Sequence, residues 1–492
     1  MPRLRHKNGL KMPFERNSFS LLFVGLGACL VAYWSTALGR PEFTDLANMV
    51  IPPLMGGILL YAGYRNVLHN HLLIWTPLPY FLGSCALFFS VGPALYHFGS
   101  EDLIWRVGGS YALTPRELLR TNMLNVLGIL IVLCSLYASL SLFNRAQRIM
   151  PTWRENGSAA MVQLKIGTTL LLGVGLPLKY LLILPYEFNM FEFTVPGIIY
   201  QLQNTIPIAL LMLCILAHRR GGIWLMIFYG LAVAELLTGT LTFSKREVVI
   251  TLIMMTLGYY VVYPRLRTLV VGVCAMLVAY VLLVPMVLYG RAETNQFAGG
   301  AGLADRFEIV QKYLAEATPD DPGGHEQGWW QRLGYAPYQA FVMAEYDAGR
   351  PGETVELALY IPIPRSLWPE KPTIAVGRDL YYMMTGRTST QVGATTFAEA
   401  YWNGGWLLVI IVCVYVGMVY AGFTIYSLRR MALQQFFFLP VIFFGIQLGL
   451  SPTNWFASTY VGSVLIAILM HWVLVAILAV IPTRRLFSPR PA

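Results

Sequence analysis

A chain of 492 residues that is 56% hydrophobic and only 12% charged, against roughly 25% charged in a soluble domain, cannot be a water-soluble fold. Its formal charge of +10 does not call for nucleic acid, because membrane proteins gather Lys and Arg on cytoplasmic loops to set their orientation. No nucleic-acid partner is expected on that ground; membrane lipid is the expected surround.

At the N-terminus, Arg3, Arg5, Lys7, Lys11 and Arg16 precede an apolar run longer than a signal peptide's core and without an obvious small-residue cleavage site, the pattern of an uncleaved anchor. Spans of about 18 to 25 residues are predicted to start near Ser18, Leu46, Leu72, Asn122, Ile166, Pro196, Gly222, Glu247, Thr268, Gly404, Gln434 and Thr459. The expected fold class is therefore an all-α polytopic integral membrane protein of about twelve transmembrane helices. With the N-terminus inside, the cytoplasmic connections carry Arg65, Arg145 and Arg148, Arg219 and Arg220, Arg265 and Arg267, Arg429 and Arg430, and Arg484 and Arg485. Each is basic, as the positive-inside bias asks, and both termini are then cytoplasmic. Cys29, Cys85, Cys134, Cys214, Cys274 and Cys413 all fall in apolar spans, so no disulfide framework is expected.

This layout gives residues 1–289 as the first nine helices, 290–403 as one large external segment, and 404–492 as three more helices and a short tail. Within the external segment, Ala304 to Ala317 has helical periodicity, with Phe307, Val310, Leu314 and Ala317 on one face; it should lie on the membrane surface or pack on the bundle. A turn-rich break, Thr318 to Gly328, leads to a second helical stretch, Trp329 to Ala348. The run Leu357 to Pro372 holds four prolines and cannot be one regular helix.

Basic residues outside are anomalous for this orientation and hence informative. Lys245 and Arg246, in TFSKRE, open a helix and offer cations and free backbone N–H groups to an anion. The structural alternative is snorkelling, or a salt bridge to Glu247 or Glu235. Arg365, Lys371, Arg378 and Arg387 form a second basic cluster, and Arg291 begins the external segment. Glu399, in TTFAEAYWNGG, is the best-placed carboxylate for a general base, although it could equally pair with an Arg. Trp329, Trp330, Trp368 and Trp402 either anchor the interface or stack on sugar rings. His69 and His71 lack metal-ligand spacing, and no glycine-rich phosphate loop, HExxH or nucleophile elbow occurs, so no metal or cofactor is expected.

IPRSLWPEKP (Ile363 to Pro372), the helix-like GRDLYYMMTG, FAEAYWNGG (Phe397 to Gly405) and FSKREVV (Phe243 to Val249) occur with the expected topology. Together they resemble the Wzy-type polysaccharide repeat-unit polymerases, the family of O-antigen and related exopolysaccharide polymerases. An Arg-x10-Gly loop pattern of some members appears here as Arg291 and Gly302. The resemblance implies a GT-C-like fold in the bacterial inner membrane and metal-independent glycosyl transfer on its periplasmic face. Its implied substrate is an oligosaccharide on undecaprenyl pyrophosphate, with a chain-length regulator and a flippase as candidate partners. In that scheme Lys245, Arg246, Arg291, Arg365, Lys371 and Arg378 would bind pyrophosphate, Glu399 would act as base, and Trp368 and Trp402 would stack on sugars. An O-antigen ligase and a lipid-linked oligosaccharide flippase or transporter are the competing readings.

Overall fold

A computed structural model describes residues 14–101, 104, 111–146, 157–190, 205–294, 297, 301–315, 333–363, 368, 370, 376–387 and 392–480. Among them all regular structure is helical, with no strand. In chain order the helices are α1 (Arg16–Gly39), α2 (Thr44–His69), α3 (Pro77–Phe98), α4 (Pro115–Ala146) and α5 (Ala160–Glu187). There follow α6 (Thr205–Arg220), α7 (Ile223–Leu241), α8 (Lys245–Val262), α9 (Leu266–Thr294) and α10 (Leu303–Ala315). The last are α11 (Ala336–Asp347), α12 (Val376–Thr385), α13 (Thr396–Ala432), α14 (Phe436–Gly449) and α15 (Ala457–Val480).

Nine of these, α1 to α5, α7, α9, α13 and α15, are long and apolar enough to cross a membrane. Their outward side chains are apolar too: Leu38 is 74% exposed and Leu282 68%, an arrangement that suits hydrocarbon and not water. The chain is a polytopic membrane protein. The spans expected near Pro196, Glu247 and Gln434 fall on helices of lesser length or apolarity. These are α6, described over 16 residues, α8, whose first turn is Lys245-Arg246-Glu247, and the short α14.

The described helices divide between two compact units. The first comprises Met1–Arg154, Trp330–Leu433 and Val441–Ile477, with α13 lying along α4. Small residues permit that approach: Gly417 sits against the Val132 carbonyl and Ser135, and Ser135 Oγ donates to the Val414 carbonyl at 2.8 Å. Prolines Pro52 and Pro53 interrupt the ladder of α2, and Ser90 Oγ of α3 donates to the Pro52 carbonyl at 2.5 Å. Buried amides then tie the start of α4 to α11. Asn125 and Gln339 exchange hydrogen bonds at 3.2 and 2.8 Å, and Gln339 also donates to Thr395 Oγ1 at 2.8 Å.

In the second unit, Glu155–Trp329 with Gln434–Pro440 and Leu478–Ala492, α6 is buried on all sides from Ile208 to Ala217 among α5, α7 and α8. A helix that is apolar all round belongs at a core, and Gly258 of α8 lets its Cys214 come close. The segment 290–403 is not a unit of its own. Its first helix, α10, packs Ile309 on Phe243 and Val287 in the second unit, whereas α11 packs on α4 and α13 in the first. Ile309 and Val310 form the packed side of α10, while Phe307 and Leu314, expected on the same apolar face as Val310, are exposed.

The span predicted to begin at Gly404 does so by a break. In α13, Gly404 (φ −169°) and Gly405 (φ 60°, ψ −156°) leave helical geometry, the latter in a region essentially reserved for glycine. A Cβ on Gly405 would also press on the Tyr346 ring at about 3 Å. Gly405→Ala is therefore expected to cost about 1–3 kcal/mol and to lower the melting temperature of the purified protein. Gly422→Ala, whose Cβ meets open space on the same helix, should leave it unchanged.

Candidate functional site

The turn between α7 and α8 is where three expected cations meet. Phe243 there has φ 48°, a left-handed conformation costly for a bulky residue, and its side chain is only 1% exposed. What holds it is packing on both sides. Its ring lies on Gly290 of α9, where any side chain would collide with it, and Arg291 Nε donates to the Phe243 carbonyl at 3.2 Å. From α10, Arg306 donates to the carbonyls of Ala301 (3.0 Å), Leu241 (3.1 Å) and Glu187 (3.1 Å). Its guanidinium lies 5.4 Å from the Phe188 ring and 5.8 Å from that of Phe243. Burial lowers the Arg306 pKa and Glu187 opposes the shift; a guanidinium stays charged regardless.

Immediately after this turn come Lys245 and Arg246, at the positive end of α8. Lys245 Nζ stands 5.3 Å over the Tyr280 ring, and Arg246 is exposed. The carboxylates proposed as their salt-bridge partners are engaged elsewhere. Pro177 opens a π-helical stretch in α5, to Ile183, that turns Lys179 inward. There Lys179 Nζ lies 2.9 Å from Glu235 Oε2 and 2.9 Å from Glu247 Oε2. Tyr180 OH donates to the other Glu235 oxygen at 2.9 Å. The internal partner of Glu235 is thus Lys179 and not Lys245 or Arg246, because only Lys179 reaches it from within the bundle.

The remaining candidates fall elsewhere. Arg365 and Lys371 lie outside the described residues, as do Trp329 and Trp330. Arg378 is exposed on α12 of the first unit, where Gly377 packs closely on the Val392 backbone and Leu380 is buried. Trp368 stands edge-on to Tyr360, ring centres 5.4 Å apart. Trp402 is not open to a sugar: Gly352 covers its ring and its Nε1 donates to the Arg350 carbonyl at 3.2 Å. Among the described residues no three His, Cys, Asp or Glu side chains come together as a metal site.

Glu399 is placed against its expected use as a base. It is 1% exposed, one oxygen accepts from Thr354 Oγ1 at 2.8 Å, and the other accepts from the Phe456 backbone N–H. Asn403 Nδ2 bridges to Thr354 Oγ1 at 2.9 Å and to the Glu399 carbonyl at 2.8 Å. With each oxygen held by a fixed donor, this buried carboxylate clips residues 354 and 456 to α13. Just ahead of it Thr395, at φ 74° and ψ 154°, caps α13 in a backbone region that disfavours β-branched residues. Its hydrogen bond from Gln339 helps to hold it there.

Comparisons of the chain with family models, with curated proteins and with solved structures give no match.

Removing one member of a buried ion pair leaves an uncompensated charge and costs roughly 3–5 kcal/mol. Lys179→Met should therefore destabilise the purified protein by about that amount in a denaturation series. Adding Glu235→Gln to it should recover part of the loss. An unchanged midpoint for Lys179→Met would show that the three charges do not hold α5, α7 and α8 together.

Proposed function

We propose that the chain is a metal-independent membrane glycosyltransferase that joins oligosaccharide repeat units carried on a polyprenyl pyrophosphate, as the Wzy-type polymerases do. In this proposal α6, α8 and α14 also cross the membrane, giving twelve spans of GT-C-like arrangement in the bacterial inner membrane with both termini cytoplasmic. The α7–α8 turn, the start of α4 and the start of α13 then all face the periplasm.

The observation that carries the proposal is the strained turn at Phe243, braced by Arg291 and Arg306 and followed at once by Lys245 and exposed Arg246. A lipid pyrophosphate presents its charge at just such a membrane boundary. In the reaction, an acceptor hydroxyl oxygen bonds to the anomeric carbon of the growing chain. The bond from that carbon to the pyrophosphate oxygen breaks, its electron pair leaves with the lipid carrier, and the acceptor's hydroxyl proton is lost to water. Negative charge grows on the departing pyrophosphate, so cations and helix N–H groups already aimed at it lower the barrier. Direct displacement of this kind inverts the anomeric centre.

Deletion of the gene is expected to abolish polymer and to accumulate single repeat units on their lipid at the periplasmic face. Full-length polymer retained on its carrier would point instead to a ligase, and units trapped in the cytoplasmic leaflet to a flippase. Complementation with Arg246→Ala, in protein that inserts normally, should lower polymerisation on the order of 10²-fold; wild-type polymer length and yield would remove the anion site.

A further inference from the structure

We propose that a cleft between the start of α4 and α11 is a carbohydrate-binding subsite, in which Glu117 and Asp347 accept hydrogen bonds from sugar hydroxyls and Arg120 donates to them. The inference deepens the glycosyl-transfer proposal and rests on it for the identity of the glycan. The cleft measures about 370 Å³ and lies within the first unit, inside the range of roughly 300–1,000 Å³ typical of small-ligand sites. Its floor is Ala340 and Ala344, four residues apart on one face of α11, and Ala348 just past its end, with Met343 beside them. Such a floor is flat and apolar, as the C–H face of a pyranose requires.

The polar rim is built and not incidental. Arg120 donates both to Asp347 and to Tyr401 OH, and its guanidinium lies 5.4 Å over the Tyr401 ring. Tyr401 OH in turn donates to the second Asp347 oxygen at 2.9 Å. Across the cleft, Glu117 accepts from Tyr111 OH, from Thr114 N–H at 2.8 Å and from Thr114 Oγ1 at 2.7 Å. Each charged group is oriented by neighbours yet open to the cleft: the Arg120 and Asp347 side chains are 38% and 36% exposed. Burial would raise the Asp347 pKa, but the hydrogen bonds from Arg120 and Tyr401 more than offset it and hold the group below its ordinary value. Asp347 is thus an ionised acceptor at neutral pH.

The balance of charge selects the ligand class. Two carboxylates against one guanidinium would repel a phosphate, and a bound metal ion would have to displace Arg120 from Asp347. A neutral polyol meets neither obstacle, since its hydroxyls donate to the carboxylate lone pairs left over and accept from the guanidinium.

Saturation-transfer NMR on the full chain in lipid nanodiscs, free of glycoside detergents, tests this with methyl glycosides of glucose, galactose, N-acetylglucosamine and rhamnose as probes. At least one should receive saturation from the protein. Its affinity should fall at least about tenfold in Asp347→Asn and in Arg120→Gln, the cost of a lost hydrogen bond to a charged group. Ala344→Leu, which fills the cleft and leaves every charge in place, should abolish the signal without lowering the melting temperature. No transfer to any glycoside, or transfer undiminished in Ala344→Leu, would overturn the subsite. That result with lipid-linked units still accumulating in the deletion strain removes the subsite alone. Glycoside binding in a protein whose deletion leaves polymer intact removes the transfer proposal instead.

Discussion

One ammonium group organises the second unit. Lys179 Nζ bridges Glu235 of α7 and Glu247 of α8 at 2.9 Å each, from a side chain only 4% exposed. In hydrocarbon neither a lone lysine nor a lone carboxylate is affordable, so the three must stay together, and with them the helices that carry them. The distance between α7 and α8 is thereby set, and with it the span that Leu241 to Lys245 must bridge. Within that short bridge Phe243 is left-handed. Glu235 and Glu247 are thereby both engaged by Lys179 behind the turn.

A different device fixes the first unit. There the buried carboxylate, Glu399, has hydroxyl and amide donors for partners, and it joins residues 354 and 456 to the first turn of α13. Thr395 before it and Gly405 after it both hold uncommon backbone conformations. The eight residues from Thr396 to Asn403 thus form a separate short helix, capped, clipped and broken from the long one. Its outward products are the placement of Tyr401 against Arg120 and Asp347, and the burial of Trp402 beneath Gly352. The helix entry buries the glutamate and sets the tyrosine two residues on against Arg120 and Asp347.

Hydropathy made most of the fold readable. Apolar runs flanked by arginines locate all nine of the strongest helices, and the GG doublet marks the break in α13. The start expected for α6 near Pro196 lies outside the described residues, and the described helix runs from Thr205. The site was less readable, since its pairings are distant in sequence. A lysine inside GLPLKYLLI announces a buried partner, but its carboxylates lie 56 and 68 residues away. Arg120 meets Asp347 across 227 residues. Arg306 reads as one charge on an amphipathic helix, and its three acceptors are backbone carbonyls, which carry no sequence label. Glu399 and Trp402 are both covered in the structure, and nothing local in FAEAYWNGG reveals that other loops fold over them.

Arg306 and Arg291 also explain why a cationic turn can be both rigid and receptive. A surface arginine loses side-chain entropy when it grips a ligand, and that loss subtracts from binding. Arg306 has already lost it, because all three kinds of guanidinium nitrogen are committed to carbonyls and two aromatic rings flank the group. Its positive charge remains, since hydrogen bonds to neutral carbonyls orient a guanidinium without neutralising it. In the proposed reaction, ordering falls on Arg306 and contact on exposed Arg246. A field supplied by groups that need not reorganise is worth more to a developing anion than the same charges free to move. The contacts that brace the strained Phe243 turn also hold the head of α8, and the cations it carries, in place.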